Sequence, residues 1–95
     1  MSDTETSSPR ELPLLIGAGP GTPEVLMLLG TPDAQGVVHV RTWTGDEWSA
    51  APRSSAERAV TLLHWLEVQE RVGRRMNQSL YTLRLWLRGE GAASR

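Results

Sequence analysis

Few side chains in this sequence have the type and spacing that chemistry requires. The chain has no cysteine and only two histidines, His39 and His64. A thiol nucleophile and a zinc–thiolate site are therefore excluded, and the two histidines do not have the close spacing of metal ligands. No nucleophile elbow and no pair of carboxylates stands out among the serines and acids. An enzyme is unsupported, and we predict no catalytic, cofactor-binding or metal-binding residue.

The stretch Leu15–Glu24 has the composition of a ligand-binding loop, with three glycines and two prolines. Glycines allow the backbone to approach a ligand closely. The stretch resembles the glycine-rich loop after the first strand of the tetrapyrrole methylases, which implies S-adenosylmethionine as a ligand. The resemblance covers ten of the 95 residues, and nothing after Val25 supplies the two α/β domains of that family. We therefore interpret Gly17–Gly21 as a turn, with a small-molecule binder or enzyme as a remote alternative.

Basic side chains cluster at the predicted end of a helix, at Arg71, Arg74 and Arg75. Such a cluster can bind a phosphate group or a nucleic acid. It is also the ordinary placement of cations at the negative C-terminal end of a helix. Glu67 and Glu70 precede Arg71 and Arg74 by four residues and would neutralise part of the cluster. This spacing favours the second interpretation.

A second basic feature depends on two strands predicted at 37–44 and 80–88. The side chains that would share one open face of the sheet are Arg41, Trp43, Arg84 and Trp86. Alternating Arg and Trp can hold single-stranded nucleic acid, because bases stack on the rings while Arg contacts phosphates. The alternatives are a solvated face with Arg stacked on Trp, or a face closed by another chain. The net charge of −1 argues against a dedicated nucleic-acid binder.

An apolar helix face gives the best candidate for an interaction surface. The stripe predicted to face the core consists of Ala56, Ala59, Val60, Leu62, Leu63 and Leu66. Trp65, Val68 and Val72 recur at i, i+3 and i+7, and on a helical wheel they point nearly opposite to that stripe. A large apolar patch of this kind marks an interface, unless the C-terminal segment of the same chain folds over it.

The elements that position these residues follow from local patterns. Val25–Leu29 is apolar at every position and Val37–Thr44 is β-branched and aromatic, which predicts two strands. The turn between them contains Pro, Asp and Gly. A short third strand is predicted at Trp48–Ala51. The capping box Ser54-x-x-Glu57 and a glycine at position 73 predict one long helix over 54–72.

The segment Leu80–Arg88 fits two structures. Tyr81, Leu83, Leu85 and Leu87 alternate as on one face of a strand, whereas Leu80, Leu83 and Leu87 also align on a helix. Four consecutive matches to a period of two favour the strand. The predicted fold is therefore α+β: an antiparallel sheet of three to four strands with one long helix packed on one face, in the order ββ(β)αβ.

Length and charge indicate the domain boundaries, the tendency to self-associate and the location of the protein. Ninety-five residues make one small domain, which we divide into a disordered leader at 1–11, the domain at 12–89 and a disordered tail at 90–95. Residues 1–50 hold two Arg against seven acids and residues 51–95 hold eight Arg against four acids, an asymmetry that can hold two copies together. Without a basic and apolar start or a long apolar run, we expect no membrane segment and a cytoplasmic location.

These observations predict a small non-enzymatic interaction module that forms a homodimer, with no cofactor. The contact residues are Trp65, Val68 and Val72, with Val25–Leu29 as a second surface, and a further protein partner is not identified. The alternative is a nucleic-acid-binding module that uses Arg41, Trp43, Arg74, Arg75, Arg84 and Trp86.

Overall fold

The computed structural model describes residues 10–89, which form a four-stranded antiparallel sheet followed by two helices. The elements are β1 (Leu12–Ile16), β2 (Val25–Leu29), β3 (Val37–Thr44), β4 (Arg53–Arg58), α1 (Ala59–Arg71) and α2 (Leu80–Leu87). Each strand pairs with its neighbour along the chain, in the order β1-β2-β3-β4. The predicted α+β class is confirmed. The element order is ββββαα instead of the predicted ββ(β)αβ.

One face of the sheet forms a core with both helices. Alternate side chains of β1, β2 and β3 are buried there, as the period of two in a strand requires. The buried apolar residues are Leu14, Ile16, Met27, Leu29, Val38, Val40, Ala59, Leu62, Leu66, Leu83, Trp86 and Leu87. The other sheet face points away from the helices, and we call it the open face. It carries the strand side chains that alternate with the buried ones.

A tight turn joins β2 to β3 and is organised by Asp33. The Asp33 carboxylate oxygen Oδ1 accepts hydrogen bonds from the backbone N–H groups of Gln35 (2.8 Å) and Val37 (3.0 Å). Gly36 has a φ of +76°, a left-handed conformation that favours glycine. The turn residues seen in the sequence therefore form the predicted hairpin. These two backbone hydrogen bonds lower the pKa of Asp33 from its ordinary value of 3.8, and the bond from Val37 has the larger effect.

The lowered pKa of Asp33 makes the stability of this turn depend on pH. A carboxylate whose pKa is lower in the folded state stabilises the fold above its ordinary pKa. That contribution should fall away as the pH drops below 3.8 and through the folded pKa. The variant Asp33→Asn keeps an oxygen acceptor but does not titrate. We expect the difference in urea midpoint between wild type and Asp33→Asn to shrink between neutral pH and acid pH; a constant difference would contradict this role.

Residues 54–58 were predicted to begin the helix, and this is wrong because they form β4. Ser54 and Glu57 lie on opposite faces of this strand and do not form a capping box. Ser55 is opposite Val40 of β3, and Glu57 is opposite Val38. The long β3 strand offers backbone partners to the whole segment, and this non-local pairing outweighs the local capping pattern. The helix α1 begins at Ala59, without a side-chain cap.

The third strand predicted at Trp48–Ala51 is also wrong. Gly45–Glu47 forms a single turn of 3-10 helix, and the residues after it are exposed and irregular. A turn at this point reverses the chain, so that the strand beside β3 is β4 instead.

The end of α1 agrees with the sequence. Gly73 has a φ of +94°, and its N–H donates to the carbonyl of Glu70. The N–H of Arg74 donates to the carbonyl of Gln69. These two hydrogen bonds define a Schellman motif, for which glycine is the preferred residue.

Residues 80–88 were predicted to form a strand, and this too is wrong, because 80–87 are the helix α2. The Oγ of Ser79 accepts a hydrogen bond from the N–H of Thr82 (3.1 Å) and caps the helix. Leu83, Trp86 and Leu87 then meet on one buried face. The period of two in the sequence was coincidental, since this leucine-rich segment satisfies both periods, and burial against α1 and the sheet decides between them.

The chain covers the outer edge of β1 with its own residues. The N–H of Gly17 donates to the carbonyl of Arg75 (2.7 Å), and the N–H of Leu15 donates to Oδ1 of Asn77 (2.8 Å). The N–H of Asn77 in turn donates a hydrogen bond to the carbonyl of Leu15. This edge therefore has few free backbone groups. Residues 1–9 and 90–95, which include most of the predicted leader and the whole predicted tail, lie outside the described residues.

Candidate interaction groove beside Trp65

A groove of ≈ 360 Å³ lies between α1 and the core-facing side of β2, β3 and β4. We call it the Trp65 groove. It is lined by Val25, Met27, Val40, Thr42, Ser55, Glu57, Thr61, Leu62 and Trp65. The groove exists because β4 places Ser55 and Glu57 on the core-facing side, where β2 and β3 place larger apolar residues. These shorter or polar side chains leave the space under α1 unfilled.

The Trp65 groove combines an apolar floor with one acidic side. Met27, Val40 and Leu62 supply buried apolar atoms. Among residues 10–89, Glu57 is the one charged residue that lines the groove, and Thr42, Ser55 and Thr61 contribute hydroxyl groups. A surface with an apolar floor and one carboxylate is suited to a protein segment that presents an apolar side chain beside a cation.

Trp65 lies on the flank of α1 next to its buried stripe, and Val68 and Val72 lie farther round the helix. Trp65 is 38% exposed and Val72 is 58% exposed, and Val68 is half-buried. The sequence predicted that they point nearly opposite to the core. Val68 does so, at about 140° from the midpoint of Leu62 and Leu66 on a helical wheel, whereas Trp65 does not. The stripe that was predicted to face the core included Ala56, which is in β4, and Val60, which is 71% exposed. The buried stripe is narrower and consists of Ala59, Leu62 and Leu66. The midpoint between Leu62 and Leu66 is about 80° from Trp65 on a helical wheel.

Arg41 and Trp43 share the open face of the sheet, as expected for alternate residues of β3. The guanidinium carbon of Arg41 lies 5.7 Å from the centre of the Trp43 ring. Arg41 also pairs with Glu11, at 2.8 Å between its Nη2 and the carboxylate Oε1. The stacked pair is one of the predicted features, but the positive charge of Arg41 is already partnered by a carboxylate.

Arg84 and Trp86 are not on the sheet, because their segment is α2. Arg84 pairs with Glu67 of α1 at 3.4 Å. Trp86 is buried in the core, and its Nε1–H donates to the carbonyl of Gly30 (2.9 Å). The four-residue Arg/Trp face is therefore not assembled, since only Arg41 and Trp43 share it.

Arg74 and Arg75 differ in their surroundings. Arg75 is exposed, whereas Arg74 is 7% exposed and the only buried charged residue within 10–89. The Arg74 guanidinium donates to the carbonyls of Gly17 (2.9 Å) and Pro23 (2.8 Å) and to Oε1 of Gln69 (2.9 Å). Arg74 thus fastens the glycine-rich loop to the end of α1. No local pattern in the sequence distinguishes this arginine from its neighbour.

The glycine-rich loop approaches Arg74 rather than an open cavity. A Cβ atom added at Gly19 would lie 3.1 Å from Cγ of Arg74 and 3.2 Å from Oγ1 of Thr22. Backbone hydrogen bonds in both directions between Gly19 and Thr22 close the turn. The close backbone approach that explains this glycine is therefore an approach to the chain itself.

Residues 10–89 hold no group of three or more His, Asp or Glu side chains arranged to bind a metal ion. Neither helix in that range has the length and apolar character needed to cross a membrane. Comparison of the chain with protein-family models, with curated proteins and with solved structures finds no match.

Proposed function

We propose that the protein is a non-enzymatic interaction module that forms a homodimer through the α1 flank that carries Trp65. The observation that supports this most is the position of the Trp65 indole, 38% exposed at the rim of an apolar groove. Tryptophan is enriched among the residues that contribute most to binding at protein interfaces. Val72, more than half exposed on the same flank, extends the apolar surface.

The small size of the domain gives a second reason for self-association. A domain of about 80 ordered residues buries roughly 60–65% of the surface of its unfolded chain, so its stability is small. A second copy that covers the Trp65 groove would add to that stability by mass action. We also propose a cytoplasmic location, since the chain has no cysteine for the disulfides common in small secreted domains.

The variant Trp65→Glu tests this function, with Val60→Glu as the control on the same helix. In a dimer through this flank, each copy loses an apolar contact worth about 2 kcal/mol and gains a carboxylate near Glu57. Two such losses should weaken the dimer by about 1000-fold. Sedimentation should then show a monomer for Trp65→Glu and a dimer for Val60→Glu, with unchanged circular dichroism for both. A Trp65→Glu protein that remains dimeric would contradict the proposal.

A second candidate function is binding of single-stranded nucleic acid on the open face. The stacking of Arg41 on Trp43 favours it, because an aromatic ring beside an arginine can hold a base and its phosphate. The ion pair of Arg41 with Glu11 argues against it. A fluorescence titration with single-stranded oligonucleotides over a salt series tests this function. Contacts to phosphates require binding whose affinity falls steeply as the salt concentration rises.

A further inference from the structure

We propose that two copies of the chain join through the outer edges of their β4 strands, which run antiparallel and are centred on Ser55 of each copy. The proposal rests on the homodimer proposed above and adds a contact between strands to the contact at the α1 flank. It would produce one eight-stranded sheet with the helices of both copies on the same face.

The outer edge of β4 is the only strand edge in the described part of the chain that is left open. β4 pairs with β3, and no other strand within 10–89 pairs with it. The opposite edge of the sheet, on β1, is covered by residues 75–77. Proteins usually protect such edges, so an open edge is a site for pairing with another strand.

The direction of the free backbone groups follows from the pairing with β3. The N–H of Ala59 donates to the carbonyl of Gly36, so odd-numbered residues at this end of β4 bond towards β3. Because N–H and C=O groups alternate sides along an antiparallel strand, the groups of Arg53, Ser55 and Glu57 also point to β3. Those of Ser54 and Ala56 then point outward. In the proposed pairing, Ser54 of each copy lies opposite Ala56 of the other, which gives four backbone hydrogen bonds.

The charges of β4 select the register. Arg53 and Glu57 stand two residues before and two residues after Ser55, on the same face of the strand. When two antiparallel copies are centred on Ser55, each Glu57 is directly opposite Arg53 of the other copy. If the two strands were instead centred on Ser54 or Ala56, neither Glu57 would be opposite an Arg53. Opposite charges across a strand pair stabilise it, whereas like charges destabilise it. The sequence of β4 is therefore complementary to itself in one register.

This contact also extends the Trp65 groove. Ser55 and Glu57 line the groove in each copy, and they face the same side of the joined sheet as Trp65. The two grooves therefore meet at the two-fold axis between the Ser55 residues. Arg53 of the second copy supplies the cation that the acidic side of the groove lacks. The partner that fits this surface is thus a second copy of the chain.

Single cysteines test the register, because the natural chain contains none. Ser55 and its copy would form a pair without backbone hydrogen bonds, with Cα atoms about 4.5 Å apart, within disulfide range. The two Ser54 residues would be roughly 9 Å apart, which is too far. Under mild oxidation we expect Ser55→Cys to form a covalent dimer on a non-reducing gel, and Ser54→Cys to remain mostly monomeric. Equal cross-linking of both variants would overturn the register.

Charge exchange gives a second, independent readout. Glu57→Arg or Arg53→Glu should each weaken the dimer by about tenfold or more, since like charges then face each other twice. The combined variant Arg53→Glu/Glu57→Arg should return to near the wild-type dissociation constant. If the wild type is a dimer but Ser55→Cys does not cross-link and the charge variants have no effect, the β4 contact is wrong and the homodimer stands. A monomeric wild type would overturn both proposals.

Discussion

Replacing Arg74 with alanine should lower the free energy of unfolding by about 3 kcal/mol or more. The sequence alone does not distinguish Arg74 from the other two arginines at the end of α1. The change removes three hydrogen bonds from a charged donor, each worth about 1.5–3 kcal/mol. It also leaves the carbonyls of Gly17 and Pro23 without this partner in a partly buried position. The loop from Gly17 to Pro23 would lose its attachment to the end of α1.

Arg75→Ala is the matched control, because Arg75 is adjacent and exposed. Its effect should be within about 0.5 kcal/mol. Arg74→Lys keeps the charge but cannot reproduce the three-way geometry of the guanidinium, so its stability should lie between those of the wild type and Arg74→Ala. Urea denaturation of the three variants measures these differences. Equal stability of Arg74→Ala and Arg75→Ala would show that the buried guanidinium contributes little.

The second large effect is expected at Trp86, which was predicted on a solvent-facing strand and is found in the core. Trp86→Ala should lower the free energy of unfolding by about 3–5 kcal/mol, because the change leaves a large cavity. Trp86→Phe keeps most of the packing but removes the hydrogen bond to the carbonyl of Gly30, so it should cost about 1–3 kcal/mol. Trp48→Ala, at an exposed tryptophan, should have little effect. Denaturation followed by circular dichroism measures all three; a small effect for Trp86→Ala would contradict the helical packing of α2.

The sequence predicted the parts of the fold where local pattern and tertiary contact agree. β2 and β3 begin and end at the predicted residues, because an apolar run and a β-branched run flank a turn of Pro, Asp and Gly. The end of α1 was predicted for the same reason, since Gly73 provides the left-handed conformation that the Schellman motif needs. In both cases the deciding interactions lie within a few residues of each other.

The sequence failed where a distant element decides the structure. β4 has polar side chains and a capping pattern, and only its pairing with β3 makes it a strand. The segment 80–87 satisfies two periods, and only burial selects the helix. The Trp65 groove could not be predicted because of the first of these errors, since Ser55 and Glu57 line it only as part of a strand. Trp65 was predicted to be a contact residue, but the strand residues that line the groove beside it could not be found from the helix alone.

The mass of the wild-type protein in solution tests the central claim most directly. The chain has a mass of 10.5 kDa, so a homodimer should scatter light as a particle of twice that mass. We expect this doubled mass over a concentration series, with a shift towards 10.5 kDa only on strong dilution. A mass of 10.5 kDa at every concentration would contradict the homodimer, and with it the assignment of the Trp65 groove as its interface.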